Sequence, residues 1–343
     1  MHIQVRTQNH QPLLIMSTHK RILRYDQAIT EATFECMERD PNVFIIGQGV
    51  KSPWYVGSTT KGIQDKFGVT RLIDTPVSEN AILGTGIGAS LIGLRPIIVF
   101  PRMDFMMYAM EQLADELNNI HYMFGGAMTA PVVVRSIINR GGEQAAQHSQ
   151  ALHAFFAHLP GIKVVMPASA YDAKGLLVAA IEDENPVMYI DDRWLYDISD
   201  SVPKEHYTVP IGKARIRTKG NDITVVAVSY LVPEAIHASE ILAKDGINIE
   251  VIDPRTMKPL DTKTIICSVK KTGRLIIADV GWKDFGISGE ISSQVHEMAF
   301  KYLKTPIVRI ALPNTPAPMS KTLENKYYPR YTDIINAARA LLT

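Results

Sequence analysis

The stretch DTPVSENAILGTGIGASLIGLRPIIVF, residues 74–100, predicts a turn, a helix and a buried strand in direct succession. Ser78 is a residue type that caps helices, and the apolar spacing that follows it predicts a helix over 79–92. The run at 97–100 is short, apolar and rich in β-branched residues, which is typical of a strand covered on both faces. A helix that leads into such a strand indicates an α/β fold.

The same alternation extends along the rest of the chain. Its first series has strands at 43–46, 97–100, 132–135, 164–166 and 187–190, and helices at 25–39, 79–92, 104–124 and 170–182. After a polar stretch at 197–212, a second series has strands in DITVVAVS, INIEVID, RLIIAD and IVRIAL, and helices at 233–244, 262–271, 288–302 and 332–342. We therefore expect two three-layer α/β/α domains, at 21–200 and 211–343, with a linker at 201–210 and a tail at 1–20.

Composition and charge exclude several classes of protein. The chain has 343 residues, of which 46% are hydrophobic and 21% charged, as expected for a soluble two-domain protein. A net charge of +1 with both signs interspersed provides no field for nucleic acid or a membrane surface. No apolar run approaches the roughly 20 residues of a membrane helix. Cys36 and Cys267 lack metal-ligand spacing, which indicates ordinary reduced thiols.

The N-terminal segment has two interpretations. Residues 1–25 contain no acidic residue and include the basic residues Arg6, Lys20, Arg21 and Arg24, a composition that occurs in organelle-targeting segments. Serine is scarce there, however, and Met16 is an alternative start. We expect a cytoplasmic protein, or one of the mitochondrial matrix if the source is eukaryotic.

A cluster of small residues in the first stretch has the spacing of a dinucleotide-binding turn. Gly84, Gly86 and Ala89 fit that spacing, and Asp104 follows about twenty residues later. The helix is expected to begin before these glycines, however, whereas a phosphate-binding turn must precede the helix. Close helix packing, within the chain or across a subunit interface, is therefore favoured, and an NAD-linked oxidoreductase stays a remote alternative.

Four longer blocks, DTPVSENAI, GLRPIIVF, AAQHSQALHAFFAHLPGIKVVMPASAYDAKGLLVAAIEDENPV and VIDPRTMKPLD, occur in order along the chain. On these blocks, the sequence from Tyr25 onward resembles the β subunit of the thiamine-diphosphate-dependent 2-oxo acid dehydrogenases, the E1 component. The resemblance implies a pyrimidine-binding domain followed by a transketolase C-terminal-type domain. It also implies an α2β2 heterotetramer that decarboxylates a 2-oxo acid such as pyruvate and transfers the acyl group to lipoamide on an E2 acyltransferase.

The cofactor would be shared between chains. In this family the α subunit binds the diphosphate and magnesium through a Gly-Asp-Gly motif, which this sequence lacks, so we expect only the aminopyrimidine half here. The resemblance implies that Glu79 hydrogen bonds to N1′ of the aminopyrimidine and favours its imino tautomer, which takes the proton from C2. From local sequence alone, Glu79 is more readily explained as an acidic residue in the first turn of a helix.

Further roles follow from the same resemblance. Phe105 would lie against the aminopyrimidine, and His148 would give or take a proton at the reacting carbonyl oxygen and assist acyl transfer. Without the resemblance, Phe105 would be assigned to the core. A structural potassium ion would be bound by a segment near the end of the helix at 170–182. Its ligands would be Ala180, Ile181, Asp183 and Asn185.

Three segments depart from the family pattern: GQGVKSPWYVGSTTKGI, RSIINRGGEQ and DDRWLYD. In this family such segments line the substrate entrance and the docking surface, so the substrate and the acyl acceptor are both open. Arg140, in the second segment, is a candidate for binding a carboxylate or phosphate, or else a surface charge. The departures also permit a carboligase that joins the activated aldehyde to a second carbonyl compound without a lipoyl partner, or a non-catalytic assembly subunit.

Overall fold

The computed structural model describes residues 21–142 and 144–343, so the predicted tail at 1–20 lies outside the described residues. The strands are β1 Ile22–Arg24, β2 Val43–Gln48, β3 Leu72–Thr75, β4 Arg95–Phe100, β5 Val133–Ile138, β6 Lys163–Val165, β7 Val187–Asp192, β8 Ser199–Ser201, β9 Arg215–Thr218, β10 Ile223–Ala227, β11 Ile249–Asp253, β12 Thr256–Lys258, β13 Leu275–Trp282 and β14 Val308–Leu312. The α-helices are α1 Tyr25–Arg39, α2 Pro53–Val56, α3 Ile63–Phe67, α4 Glu79–Leu91, α5 Ile120–Met123, α6 His153–Ala157, α7 Ala170–Glu182, α8 Leu231–Lys244, α9 Thr262–Thr272, α10 Ile287–Ala299, α11 Lys321–Tyr327 and α12 Tyr331–Ala340.

A seven-stranded sheet contains the strands predicted in the first series. Its order is β12-β6-β7-β5-β4-β2-β3, and every neighbouring pair is parallel except β12 with β6. Strands β2, β5 and β7 are buried at every position, so both faces of the sheet are covered. Helix α4 packs on β4, and α1 packs on α7. The predicted α/β class is confirmed.

A five-stranded sheet contains the second series. Its order is β14-β13-β10-β11-β9, parallel except for β9. Helix α8 packs on β11, α9 packs on β10, and α10 packs on β13. None of the helices in the described part of the chain combines the length and apolar character needed to cross a membrane.

Several short strands were missed because they carry no continuous apolar run. Strand β3, LIDT, lies at the sheet edge and is fully buried only at Leu72, so neither a buried nor an alternating pattern is visible in it. Strand β12 follows the second-series strand β11 but pairs with β6 of the first sheet. Such a long-range pairing is decided by tertiary structure and cannot be inferred from local periodicity.

The predicted helix at 104–124 is wrong. The structure has a 3₁₀-helix at Met103–Ala109, a π-helix at Gln112–Leu117 and the short helix α5. Buried residues explain the change, because Met103, Met106 and Ala109 recur every three residues, the repeat of a 3₁₀-helix. The apolar residues of this segment suggested one regular helix, whereas its backbone changes type where it passes the candidate site.

Candidate active site

Four strand ends define a cleft at one edge of the seven-stranded sheet. Strands β5, β4, β2 and β3 are neighbours and parallel, so their carboxyl ends meet at the same edge, where α/β proteins bind ligands. The cleft has a volume of about 580 Å³. Its lining residues are Gln48, Trp54, Tyr55, Val77, Glu79, Arg102, Phe105, Tyr108 and His148.

Glu79 is the first residue of α4 and is only 6% exposed. In the described ranges its carboxylate has no ion pair or hydrogen bond, although it borders the cleft. The side-chain oxygen of Gln48, at the end of β2, is also buried without a partner. Buried polar groups normally have partners, so these two groups are suited to a ligand that brings its own N–H donors.

The predicted capping role of Ser78 is wrong. Ser78 does occupy the N-cap position of α4, but its side chain makes no capping hydrogen bond, and its φ and ψ are −169° and 72°. The N-terminal end of α4 nevertheless favours a negative charge because of the helix dipole. The position of Glu79 is therefore electrostatically suited to a carboxylate even without the serine cap.

The structure brings Phe105 and His148 together with Glu79 in this cleft. The two rings meet edge to face, with centroids 5.2 Å apart and an interplanar angle of 80°. Phe105 is held in the 3₁₀-helix, where its N–H donates to the carbonyl of Arg102 at 3.2 Å. The cleft therefore has a flat apolar wall beside an imidazole and a buried carboxylate, which suits an aromatic ring that carries polar atoms on its edge.

The glycine cluster lies inside α4, so the dinucleotide-binding alternative is contradicted. Its residues follow Glu79, and no free strand-to-helix turn contains them. A Cβ atom on Gly86 would lie 2.3 Å from Cδ1 of Ile98 on β4, which confirms close packing within the chain and not across a subunit interface at this residue. Gly88 has no atom within 4 Å of a built Cβ, so packing of this residue across a subunit interface stays a prediction.

The predicted potassium segment lies where α7 ends. Nη1 of Arg95 donates to the carbonyl oxygens of Ile181 at 3.0 Å and Asp183 at 3.3 Å. The Asp183 carboxylate accepts from Lys163 and from the N–H of Asn185. A potassium ion would have to share these oxygens with protein cations. Potassium binding by Ala180, Ile181, Asp183 and Asn185 stays a prediction.

Arg140 is not available to bind an anion, which corrects that suggestion. Its side chain is fully buried, and its Nε lies 3.3 Å from the Asp192 carboxylate. Its Nη1 donates to the carbonyl of Val280, and its guanidinium lies between the rings of Tyr230 and Tyr328, 5.0 and 5.6 Å from their centroids. Burial raises the pKa of Asp192, and Arg140 opposes that shift. The sequence could not show this because the partners come from both halves of the chain.

Arg102 is a cleft residue that the sequence analysis missed. It is 5% exposed and lines the same cleft as Glu79. Its position two residues after β4 could have indicated it, because polar residues beyond the carboxyl ends of parallel strands reach the ligand-binding edge.

The three segments that depart from the family pattern contact one another at the cleft. Trp54 and Tyr55 of the first segment line it, and Arg193 of the third donates from Nη2 to their carbonyl oxygens at 3.2 and 2.7 Å. A Cβ atom on Gly141 of the second segment would lie 2.6 Å from Nε1 of Trp194. Contacts with the neighbouring segments therefore hold Trp54 and Tyr55 in place at the side of the cleft.

The fold and cleft define a two-domain protein of the transketolase type. Residues 22–197 match the family model for the transketolase pyrimidine binding domain, and residues 212–334 match that for the transketolase C-terminal domain. A solved structure described as a split gene transketolase, an inactive β4 tetramer, has the same fold. Its TM-score is 0.75 at 20% identity, over 93% of this chain and 98% of that one.

Closer relatives narrow the class. The chain is 42% identical to the mitochondrial pyruvate dehydrogenase E1 component subunit beta of Dictyostelium discoideum, over 91% of this chain and 89% of that protein. It is 40% identical to the acetoin:2,6-dichlorophenolindophenol oxidoreductase subunit beta of Bacillus subtilis, over 94% and 98%. The chain belongs to the family of E1-type β subunits, which confirms the resemblance found in the sequence.

Proposed function

We propose that this chain is the β subunit of an α2β2 enzyme that decarboxylates a 2-oxo acid, pyruvate or a related compound, and transfers the acyl group to lipoamide. The observation that carries the proposal is the buried carboxylate of Glu79, which has no partner among residues 21–142 and 144–343, in a cleft that also contains Phe105 and His148. The proposal includes domains at 21–200 and 211–343, a cytoplasmic or mitochondrial-matrix location, and an E2 acyltransferase partner. Both named relatives above are β subunits, which supports an α-type partner.

Thiamine diphosphate, when bound, supplies the carbon nucleophile that adds to the substrate carbonyl and accepts the electrons left by carbon dioxide. Glu79 would bind N1′ of the aminopyrimidine ring and hold a proton there, and the buried oxygen of Gln48 offers a further acceptor to the ring's N–H groups. Phe105 would cover one ring face and exclude water. His148 would exchange a proton with the carbonyl oxygen of the substrate.

The α-type chain would complete the site. Magnesium with the cofactor diphosphate is assigned to that partner, because this sequence lacks the Gly-Asp-Gly motif through which the α subunit of the family binds them. Potassium at Ala180, Ile181, Asp183 and Asn185 is a further possibility on this chain. The aminopyrimidine half of the cofactor is the part that the cleft residues fit.

Co-expression with the α-type chain and calorimetric titration with thiamine diphosphate and magnesium test this function. We expect binding to the complex but to neither chain alone, and turnover of a 2-oxo acid with an artificial electron acceptor. Glu79→Gln should lower kcat by about 10²- to 10⁴-fold, because the amide cannot hold the proton at N1′. Glu240→Gln makes the same chemical change on the exposed surface of α8 and should leave kcat unchanged.

Three results would contradict the proposal. A well-formed complex that binds no thiamine diphosphate would remove the cofactor assignment. Full activity in Glu79→Gln would indicate a non-catalytic assembly subunit. Acyloin formed from the 2-oxo acid in the absence of any lipoyl protein, with no acyl transfer to lipoamide, would replace the dehydrogenase function by the carboligase function.

A further inference from the structure

Arg102 is a buried guanidinium without a negatively charged partner in the described part of the chain. Its Nη1 donates to the carbonyl of Pro101 at 2.8 Å. Because a guanidinium only donates, the side-chain oxygen of Asn139 must face it, and this oxygen accepts from Nε at 2.9 Å and Nη2 at 3.1 Å. These partners are neutral and use three of the five N–H donors, so the charge of Arg102 is not balanced by its contacts.

The other buried arginines behave differently. Arg135 forms a bidentate pair with Asp191 at 3.0 and 2.8 Å, and Arg140 pairs with Asp192. A buried charge is costly when it lacks an opposite charge, so an exception that borders a cleft indicates that the partner comes with a ligand. Arg102 is the exception, and it lines the cleft of Glu79 and His148.

The surroundings make this end of the cleft positive. The guanidinium of Arg102 lies 5.8 Å from the ring centre of Tyr55, whose carbonyl accepts from Arg193. Burial, and then the nearby charge of Arg193, lower the pKa of Arg102, although an arginine remains charged at neutral pH. The nearest described carboxylate along the chain, Asp104, is held by the side chain and N–H of Gln150. An anion placed here would therefore meet the Arg102 guanidinium, with the charge of Arg193 nearby.

We propose that Arg102 binds a second anionic group of the substrate, a carboxylate or phosphate remote from the carboxylate that leaves as carbon dioxide. This inference rests on the proposed function and names its substrate class. A guanidinium paired with the departing carboxylate would stabilise the ground state more than the transition state, because negative charge leaves that group during decarboxylation. A remote anion keeps its charge throughout, so pairing it with Arg102 strengthens binding without raising the barrier.

The test uses the complex with its α-type partner, loaded with thiamine diphosphate and magnesium. The probes are 2-oxoglutarate, phosphohydroxypyruvate and, as an uncharged-end control, 2-oxopentanoate. The wild type should favour at least one dianionic probe over 2-oxopentanoate by tenfold or more in kcat/KM. Arg102→Met should lower kcat/KM for that probe by about 10- to 100-fold, mainly through KM, and change the value for 2-oxopentanoate by less than threefold. The dianionic probe with the higher kcat/KM shows whether the second anionic group of the substrate is a carboxylate or a phosphate.

Two further variants and a binding measurement test the anion site separately from effects of misfolding and of lost turnover. Arg102→Lys should retain part of the preference, and Lys51→Met, which removes an exposed positive charge three residues before the cleft residue Trp54, should retain all of it. Calorimetry should show that glutarate or inorganic phosphate binds more tightly to the wild-type complex than to the Arg102→Met complex. Pentanoate should show no such difference. Binding of this kind in a complex that turns over no 2-oxo acid would support the anion site while contradicting the proposed function.

Three outcomes would overturn the inference while leaving the proposed function intact. The first is an equal kcat/KM for monoanionic and dianionic probes in the wild type. The second is an equal loss of kcat/KM for all probes in Arg102→Met. The third is a tenfold weaker binding of thiamine diphosphate by that variant. The last outcome would assign Arg102 to the cofactor diphosphate.

Discussion

Buried charges occur both in the cleft and at the contact between the two halves of the chain, but the two regions differ in whether those charges have partners. We call the second region the seam and define it by Arg140, Asp192, His153 and Asp279. In the seam each charge has a partner: Arg140 pairs with Asp192, and Nε2 of His153 lies 2.9 Å from the Asp279 carboxylate. In the cleft, Glu79 and Arg102 have no oppositely charged partner in the described part of the chain.

The difference shows why burial alone does not identify a functional residue. Removing a charge from water costs several kcal/mol, which a protein partner largely offsets when the geometry is good. The His153–Asp279 pair joins the two halves of the chain directly. The Arg140–Asp192 pair lies within the first half and contacts the second half through the carbonyl of Val280. The described part of the chain supplies no such partner in the cleft, so we expect a bound ligand to offset the cost there. Arg140 was a candidate site residue in the sequence, but the structure gives it a structural role. Arg102 was not a candidate, yet it is the buried arginine that has no ion pair among the described residues.

The largest expected effect on stability is in the seam. Arg140→Met would leave Asp192 buried and unpaired, and we expect the free energy of unfolding to fall by about 3–5 kcal/mol. Urea unfolding measures this value. Asp192→Asn in the same background should restore part of the loss, because the unpaired charge is then gone. A loss below about 1 kcal/mol in Arg140→Met would contradict the structural role of this pair.

Asp279→Asn should have the next largest effect, about 2–3 kcal/mol at pH 7, because it weakens a charged hydrogen bond to His153. Burial alone would raise the pKa of Asp279, but His153 and the N–H groups of Gly281 and Ser288 more than offset this and lower it. A lowered carboxyl pKa gives stability that is fully present above pH about 4, the value in the unfolded chain, and is lost as the pH falls.

The pH dependence separates this role from a loss of packing. In urea unfolding as a function of pH, the difference between wild type and Asp279→Asn should shrink as the pH falls below about 4. A difference that stays constant over that range would show that the ionised form of Asp279 is not what stabilises the seam.

The smallest effect on stability is expected in the cleft. Arg102→Met removes the same charge as Arg140→Met from a similarly buried position, but it leaves no unpaired carboxylate, so we expect a loss of about 1 kcal/mol or less. The same urea experiment compares the two arginines directly. Equal losses for both variants would mean that Arg102 is structural and that the contrast between cleft and seam does not hold.

Much of the fold followed from periodicity. The predicted helices at 25–39 and 170–182 have the bounds of α1 and α7, because each contains an apolar face at regular spacing. The segment at 104–124 was wrong because apolar content alone does not distinguish an α-helix from successive 3₁₀ and π turns. For the site, Glu79, Phe105 and His148 were named from motif blocks, and the structure places them in one cleft. Their chemical roles stay proposals.

By itself, the sequence determined the α/β class, the positions of the main strands along the chain and the family, because these depend on local periodicity and on motifs that are contiguous in the chain. Only the tertiary structure decided which arginine is paired and which is not. Arg140 meets Asp192 and Val280, which are far from it in sequence, while the hydrogen bonds of Arg102 within the described ranges go only to neutral oxygens. The physical reason is that the cost of burying a charge depends on the groups around it in space, and folding brings those groups together from distant parts of the chain.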